Sequence, residues 1–109
     1  MHSTLIVARM EEGSAGRVAQ LFSDFDATDM PERMGTLRRQ LFTYHGLYFH
    51  LQDFARPDGG ERIERHRHDP RFTSISAELK PYVSAFDPST WTSPSDAMAR
   101  CFYRWEAAS

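Results

Sequence analysis

Arg39 and His50 stand on either side of the dipeptide His45-Gly46, each inside a run of alternating apolar and polar residues. A guanidinium donates to an oxygen that is gaining negative charge, and an imidazole moves protons near neutral pH. Together in an apolar cavity they suit proton transfer next to a carbonyl, with the arginine holding an enolate oxygen while the histidine gives or takes the proton. Asp26 joins them as a candidate because it lies with Asp24 and Asp29 where an amphipathic helix ends. Carboxylates oppose the macrodipole at that end, and acid placed where it costs stability marks a functional position. Each residue also has a plainer reading, Arg39 as half of an ion pair and His50 as a satisfied core histidine. The case for a site rests on joint placement, since a guanidinium and an imidazole in apolar surroundings are costly unless paired or bound.

The elements that would place them follow from the local pattern. Thr36 to Tyr44 and Leu47 to Phe54 read as strands, and His45-Gly46 between them is a two-residue hairpin signal, with glycine supplying a positive φ. Pairing outward from the turn sets Tyr44 opposite Leu47, Thr43 opposite Tyr48, Phe42 opposite Phe49, Leu41 opposite His50, Gln40 opposite Leu51, Arg39 opposite Gln52 and Arg38 opposite Asp53. One face then carries Leu37, Arg39, Leu41, Thr43, Tyr48, His50 and Gln52. Tyr48 and Gln52 are expected to position a substrate beside Arg39 and His50, with Leu41 and Phe25 as apolar contacts. The other face carries Phe42, Tyr44, Leu47, Phe49 and Leu51, with Arg38 and Asp53 paired at its far end. A small antiparallel sheet normally leaves one face to water. Apolar residues on both faces therefore predict a second chain over one of them.

Around the hairpin, Ser3 to Met10 reads as a strand buried on both faces. Val18, Leu21, Phe22 and Phe25 form one stripe of a helix from about Ser14 to Ala27. Pro31 and Gly35 mark a loop. Glu61 to His68 reads as a short helix or helical loop, and Asp69-Pro70 caps a second long helix through Phe72, Ile75 and Leu79 that stops before Pro81. The Pro, Ser and Thr of residues 87–96 read as a loop, and the alternation from Ala97 to Glu106 as the last strand. The expected fold is α+β, a ferredoxin-like βαββαβ order with two helices on one face of an antiparallel sheet. With 109 residues, this is one domain over the whole chain, 1–109.

Composition narrows the function. Thirteen Lys and Arg against fifteen Asp and Glu give a formal net charge of -2, which does not attract polyphosphate, so neither nucleic acid nor an anionic membrane is an expected partner. The five histidines lack metal-ligand spacing, and His66 and His68 would diverge on a helix, so no metal is expected. The glycines form no dinucleotide or phosphate loop, and no organic cofactor is predicted. Cys101, the single cysteine, reads as a packed thiol in the last strand, and it allows no internal disulfide. The first apolar run, Leu5 to Ala8, is too short for a signal peptide or a membrane span, and a soluble cytoplasmic protein is expected.

Longer motifs carry a family likeness. The segments MHSTLIVARM, FDATDMP, GTLRRQLFTYHGLYFHLQDF, DPRF, WTSPSDAMA and FYRWE resemble the small aromatic polyketide cyclases typified by tetracenomycin F2 cyclase. The likeness spans nearly the whole chain, with RRxLF and LYxHL as its more specific core, and is fuller with members from spore-pigment and aromatic antibiotic clusters. It implies a homodimer of the dimeric α+β barrel type, without cofactor, that closes a ring of an aromatic polyketide intermediate by intramolecular aldol condensation and dehydration. The family's pocket groups fall on Asp26, Arg39 and His50. One position departs: the type member has a histidine just before the aspartate, where this chain has Phe25. Two further readings stay open beside a cyclase. One is a non-catalytic protein that shields the polyketide within a complex with the minimal synthase or its acyl carrier protein. The other is a cofactor-free monooxygenase on the same scaffold.

Overall fold

The computed structural model describes residues 2–108. Strands β1 (His2–Met10), β2 (Thr36–Tyr44), β3 (Leu47–Phe54) and β4 (Val83–Ala85) form one antiparallel sheet in the order β2-β3-β1-β4. Helices α1 (Ala15–Asp26), α2 (Met30–Met34), α3 (Gly59–His66) and α4 (Pro70–Leu79) connect them, and a 3₁₀ turn covers Pro94–Ala97. This is the ferredoxin-like arrangement expected from the pattern of elements. The core lies on one side of the sheet, where Val18, Leu21, Phe22 and Phe25 of α1 meet Ala8, Tyr48 and Phe54 of the strands.

The hairpin has the expected register. His45 at φ 47° and Gly46 at φ 77° make the turn with two positive φ values, which matches strand twist. Every pair from Tyr44 with Leu47 to Arg38 with Asp53 forms as expected. Beyond them a bulge falls between Thr36 and Arg38, and this corrects the placing of Leu37 on the site face. The extra residue turns Leu37 outward, 59% exposed, and Thr36 takes the inner position, where its hydroxyl donates to Gln52 Oε1 at 3.1 Å. β1 lies along the other edge of β3, setting Ile6 opposite His50 and Ala8 opposite Tyr48.

Three other expectations need correction. Residues 31–35 are not simply a loop: Asp29 precedes the short helix α2, Gly35 ends it at φ 76°, and Met30 and Met34 are both fully buried. Ala97 to Glu106 is not the last strand. Met98 makes an isolated bridge to Ile6 and the Ala99 N–H donates to Leu5, but the sheet position beside Ala8–Met10 belongs to β4. Past Ala99 none of the described residues joins the sheet, so the alternation finds no ladder, and Phe102, Tyr103 and Trp105 stand exposed. Cys101 is accordingly an exposed thiol, not a packed one.

The outward face of the sheet remains apolar. Phe42 and Tyr44 are 49% and 66% exposed, while Leu47, Phe49 and Leu51 are half-buried. β1 adds Val7 opposite Phe49 and Leu5 opposite Leu51, both also half-buried, so β1 is fully buried on neither face over this stretch. Among the described residues no helix is long and apolar enough to cross a membrane.

Candidate active site

The inner face of the hairpin brings Arg39, Tyr48, His50 and Gln52 together beneath α1. Strand alternation aims all four the same way, and the apolar stripe of α1 packs over them, with Phe22 and Phe25 in the same buried cluster as Tyr48 and the Phe22 ring against His50. Asp26 is the last residue of α1, which sets its carboxylate beside β2. The Arg39 Nε–H donates to both carboxylate oxygens of Asp26 at 3.1 and 3.0 Å, and its Nη2–H donates to Oδ1 at 2.8 Å. This fork-to-fork pair spans a gradient of solvent: the Arg39 side chain is 8% exposed and that of Asp26 36%. The guanidinium carbon lies 5.0 Å from the centre of the Phe22 ring and 5.5 Å from that of Phe25, so aromatic faces replace water around it.

His50 is the next link. Its Nε2 lies 2.7 Å from Arg39 Nη1, and its ring meets Phe22 edge-on at 4.9 Å between centres. A guanidinium has no lone pair to offer, so Nε2 accepts and the proton of the neutral ring sits on Nδ1. Burial, reinforced by the adjacent Arg39 charge, pushes the imidazole down from its ordinary 6.5 to about 3, and the ring is neutral at physiological pH. Nδ1 in turn lies 3.3 Å from Tyr48 Oη. Burial raises the Tyr48 phenol above its ordinary value, with the Arg39 charge pulling the other way, so it stays protonated.

These groups border a cavity of about 600 Å³. Its wall is largely apolar, with Ile6 and Ala8 from β1, Phe22 and Phe25 from α1, and Phe72, Ile75 and Leu79 from α4. Of the expected contacts, Phe25, Tyr48 and Gln52 line it together with Arg39 and His50, whereas Asp26 stands behind Arg39 and Leu41 packs on the core outside the cavity. Arg67, His68, Lys80 and the stretch Trp91–Pro94 also border it and were not expected as site residues, although Trp91–Pro94 opens one of the motifs that carry the family likeness. Trp91 did carry a signal, since a large aromatic in a polar loop must find apolar surface. The other acids near α1 are occupied elsewhere, Asp24 accepting from Gln20 Nε2 at 2.9 Å and Asp29 pairing with Arg71.

The site is braced from beneath. Phe54 is fully buried against Gly59, where an added Cβ would fall 2.3 Å from the Phe54 ring, so the start of α3 can approach β3 only as glycine. On the outward side, Asp53 accepts from Ser3 Oγ at 2.5 Å and from Arg38 Nε at 2.7 Å. Burial alone would raise the Asp53 carboxyl, but those two donors hold it below its ordinary value. Among the described residues no three His, Cys, Asp or Glu side chains gather as a metal set, and His66 and His68 join no such group.

The sequence and the fold both have known relatives. The family model described as polyketide synthesis cyclase matches residues 2–106. An uncharacterized protein of Streptomyces coelicolor is 49% identical over 107 residues, covering 97% of this chain and 96% of its own. The polyketide synthase CurG of Streptomyces cyaneus is 42% identical, over 97% and 98% of the two chains. Tetracenomycin F2 cyclase of Streptomyces glaucescens is 34% identical over 97% and 95%. Its solved structure, described as a type-II polyketide cyclase, superposes with a TM-score of 0.90 over 99% of this chain and 100% of that one.

Proposed function

The chain belongs to the polyketide synthesis cyclase family, and we propose that it catalyses regiospecific ring closure and aromatisation in a type II aromatic pathway, by intramolecular aldol condensation and dehydration of a poly-β-ketone or partly cyclised intermediate. The observation that carries this reading is Arg39, a buried guanidinium between two aromatic rings at the wall of an apolar cavity large enough for a folded polyketide.

Of the five N–H groups of Arg39, three are committed, Nε–H and one on Nη2 to Asp26 and one on Nη1 to His50. The remaining two meet no acceptor among the described residues and can receive an oxygen that gains charge as the new C–C bond forms. Asp26 orients the fork, the apolar wall excludes water and folds the chain so that the nucleophilic carbon meets its carbonyl, and His50 serves the proton transfer. Tyr48, Gln52 and Phe25 contact the substrate. A poly-β-ketone closes rings unaided, so a large part of the enzyme's effect is the choice of ring.

The working unit in this proposal is a homodimer that covers the outward face of the hairpin. The substrate reaches it from the minimal synthase or its acyl carrier protein, in antibiotic or spore-pigment biosynthesis. The test is to incubate the products of a minimal synthase with and without the protein. A defined cyclised product without oxygen uptake supports the proposal. A quinone formed with oxygen uptake marks a monooxygenase, and an unchanged product profile a shielding protein.

A further inference from the structure

We propose that the Tyr48 hydroxyl, not the His50 imidazole, is the acid that protonates the substrate oxygen when the ring closes, and that His50 acts through it as a positioning residue; this rests on the cyclase reading above. The argument is a count of donors and acceptors along Asp26, Arg39, His50 and Tyr48. Asp26 accepts from Arg39, Arg39 donates to His50 Nε2, and His50 is thereby left with its proton on Nδ1. That N–H faces Tyr48 Oη at 3.3 Å, so the phenol oxygen is the acceptor of this contact and cannot also aim its own hydrogen at Nδ1. No other protein group is within hydrogen-bond distance of Oη among the described residues. Tyr48 is buried and lines the cavity, so its O–H is a donor without a protein acceptor at the wall of the substrate space. Such a donor is costly until an oxygen arrives to take it.

His50 is poorly placed for the same task. Its only proton is engaged with Tyr48, and its only lone pair is engaged by Arg39. The remaining charged or titratable groups on the cavity, Arg67, His68 and Lys80, come from beyond α3 and the end of α4, and none is hydrogen-bonded to the phenol. The step balances within the pair of reactants. The carbonyl π bond opens as the C–C bond forms, the oxygen takes the Oη proton, and the phenolate recovers a proton from the hydroxyl of the enol that supplied the carbon. In the interval the phenolate is held by the Nδ1–H of His50, whose far side rests on the Arg39 charge.

Two measurements test this, one of which needs no turnover. In protein labelled with ¹⁵N-histidine, the His50 signal should show Nδ1 protonated and Nε2 bare, and it should shift in Tyr48→Phe. An Nε2–H tautomer would overturn the assignment whatever the activity. In the ring-closing assay with minimal-synthase products, Tyr48→Phe should lower kcat on the order of 10²-fold with little change in KM, as loss of a transition-state donor does. A site-specific fluorinated tyrosine at position 48, a stronger acid of nearly the same shape, should retain most of kcat and move the alkaline limb of its pH profile downward. Unchanged kcat in Tyr48→Phe, or a raised KM alone, makes Tyr48 a substrate contact only. Wild-type protein that alters no product overturns the cyclase reading itself, and the proton donor with it.

Discussion

The two faces of the β2–β3 hairpin are made by the same alternation and meet opposite problems. The inner face sets Arg39, Tyr48 and His50 among apolar side chains, and settles them within one chain: carboxylate to guanidinium, guanidinium to imidazole, imidazole to phenol. The outward face leaves Phe42 and Tyr44 exposed and Phe49 half-buried among the described residues. Buried polar groups can be satisfied locally by neighbours on an adjacent strand or helix, whereas a broad apolar face needs another surface. The polar groups of the inner face are thus satisfied within one chain, while the outward face keeps apolar surface exposed.

The strongest way to break the inner arrangement is to protonate it. Because the folded state holds His50 neutral down to about pH 3 while the unfolded chain takes a proton near 6.5, the unfolded state binds more protons between those values. Stability present above about pH 6.5 should therefore fall as the pH drops toward 3, by on the order of 4 kcal/mol over the full window. Denaturant midpoints from pH 7 to 4 measure this, and His50→Asn should flatten the slope. A slope unchanged by that substitution would show that His50 is not the group responsible.

Arg39→Ala should cost about 10²- to 10³-fold in ring-closing rate, because it removes the proposed oxyanion donor and leaves His50 unpinned. Arg39→Lys should recover only part, since an ammonium cannot hold Asp26 and His50 in one planar fork. Steady-state kinetics with circular dichroism as a check on folding decides it. On the outward face, Phe49→Asp should weaken self-association roughly a hundredfold or more by placing a carboxylate in an apolar contact. Sedimentation across concentrations measures this, and a wild-type monomer at micromolar concentration would refute the dimer. The smallest effect expected is Gly59→Ala, about 1–3 kcal/mol of stability read from the thermal midpoint, because Phe54 has no room to yield.

Much of the site could be read from the order of residues because it depends on short-range rules. His45-Gly46 dictates a turn type, the turn dictates the register, and the register brings Arg39, Tyr48 and His50 to one face without any knowledge of the rest of the fold. What escaped were features decided by competition between distant segments. β4 and the stretch after Pro94 are both able to lie beside β1, and only the packed chain shows that Val83–Ala85 takes the place next to Ala8–Met10. The bulge that expels Leu37 depends on where Thr36 can reach Gln52, and α2 on the room that Met30 and Met34 find in the core. The histidine tautomer was equally out of reach, since it depends on which nitrogen meets Arg39.

The hairpin also bears on the order in which the molecule forms. Arg39, Tyr48 and His50 come from two strands joined by two residues, so their meeting requires closing only a short loop, an event of microseconds. Pairing β1 with β3 brings Ser3 to Asp53 across most of the first half of the chain, and must wait for a larger loss of chain entropy. The expected transition state holds the hairpin formed and the β1 edge still open. Destabilising substitutions at the His45-Gly46 turn should then slow folding, while those in the β1–β4 contact should chiefly hasten unfolding, a contrast that the two arms of a chevron plot display.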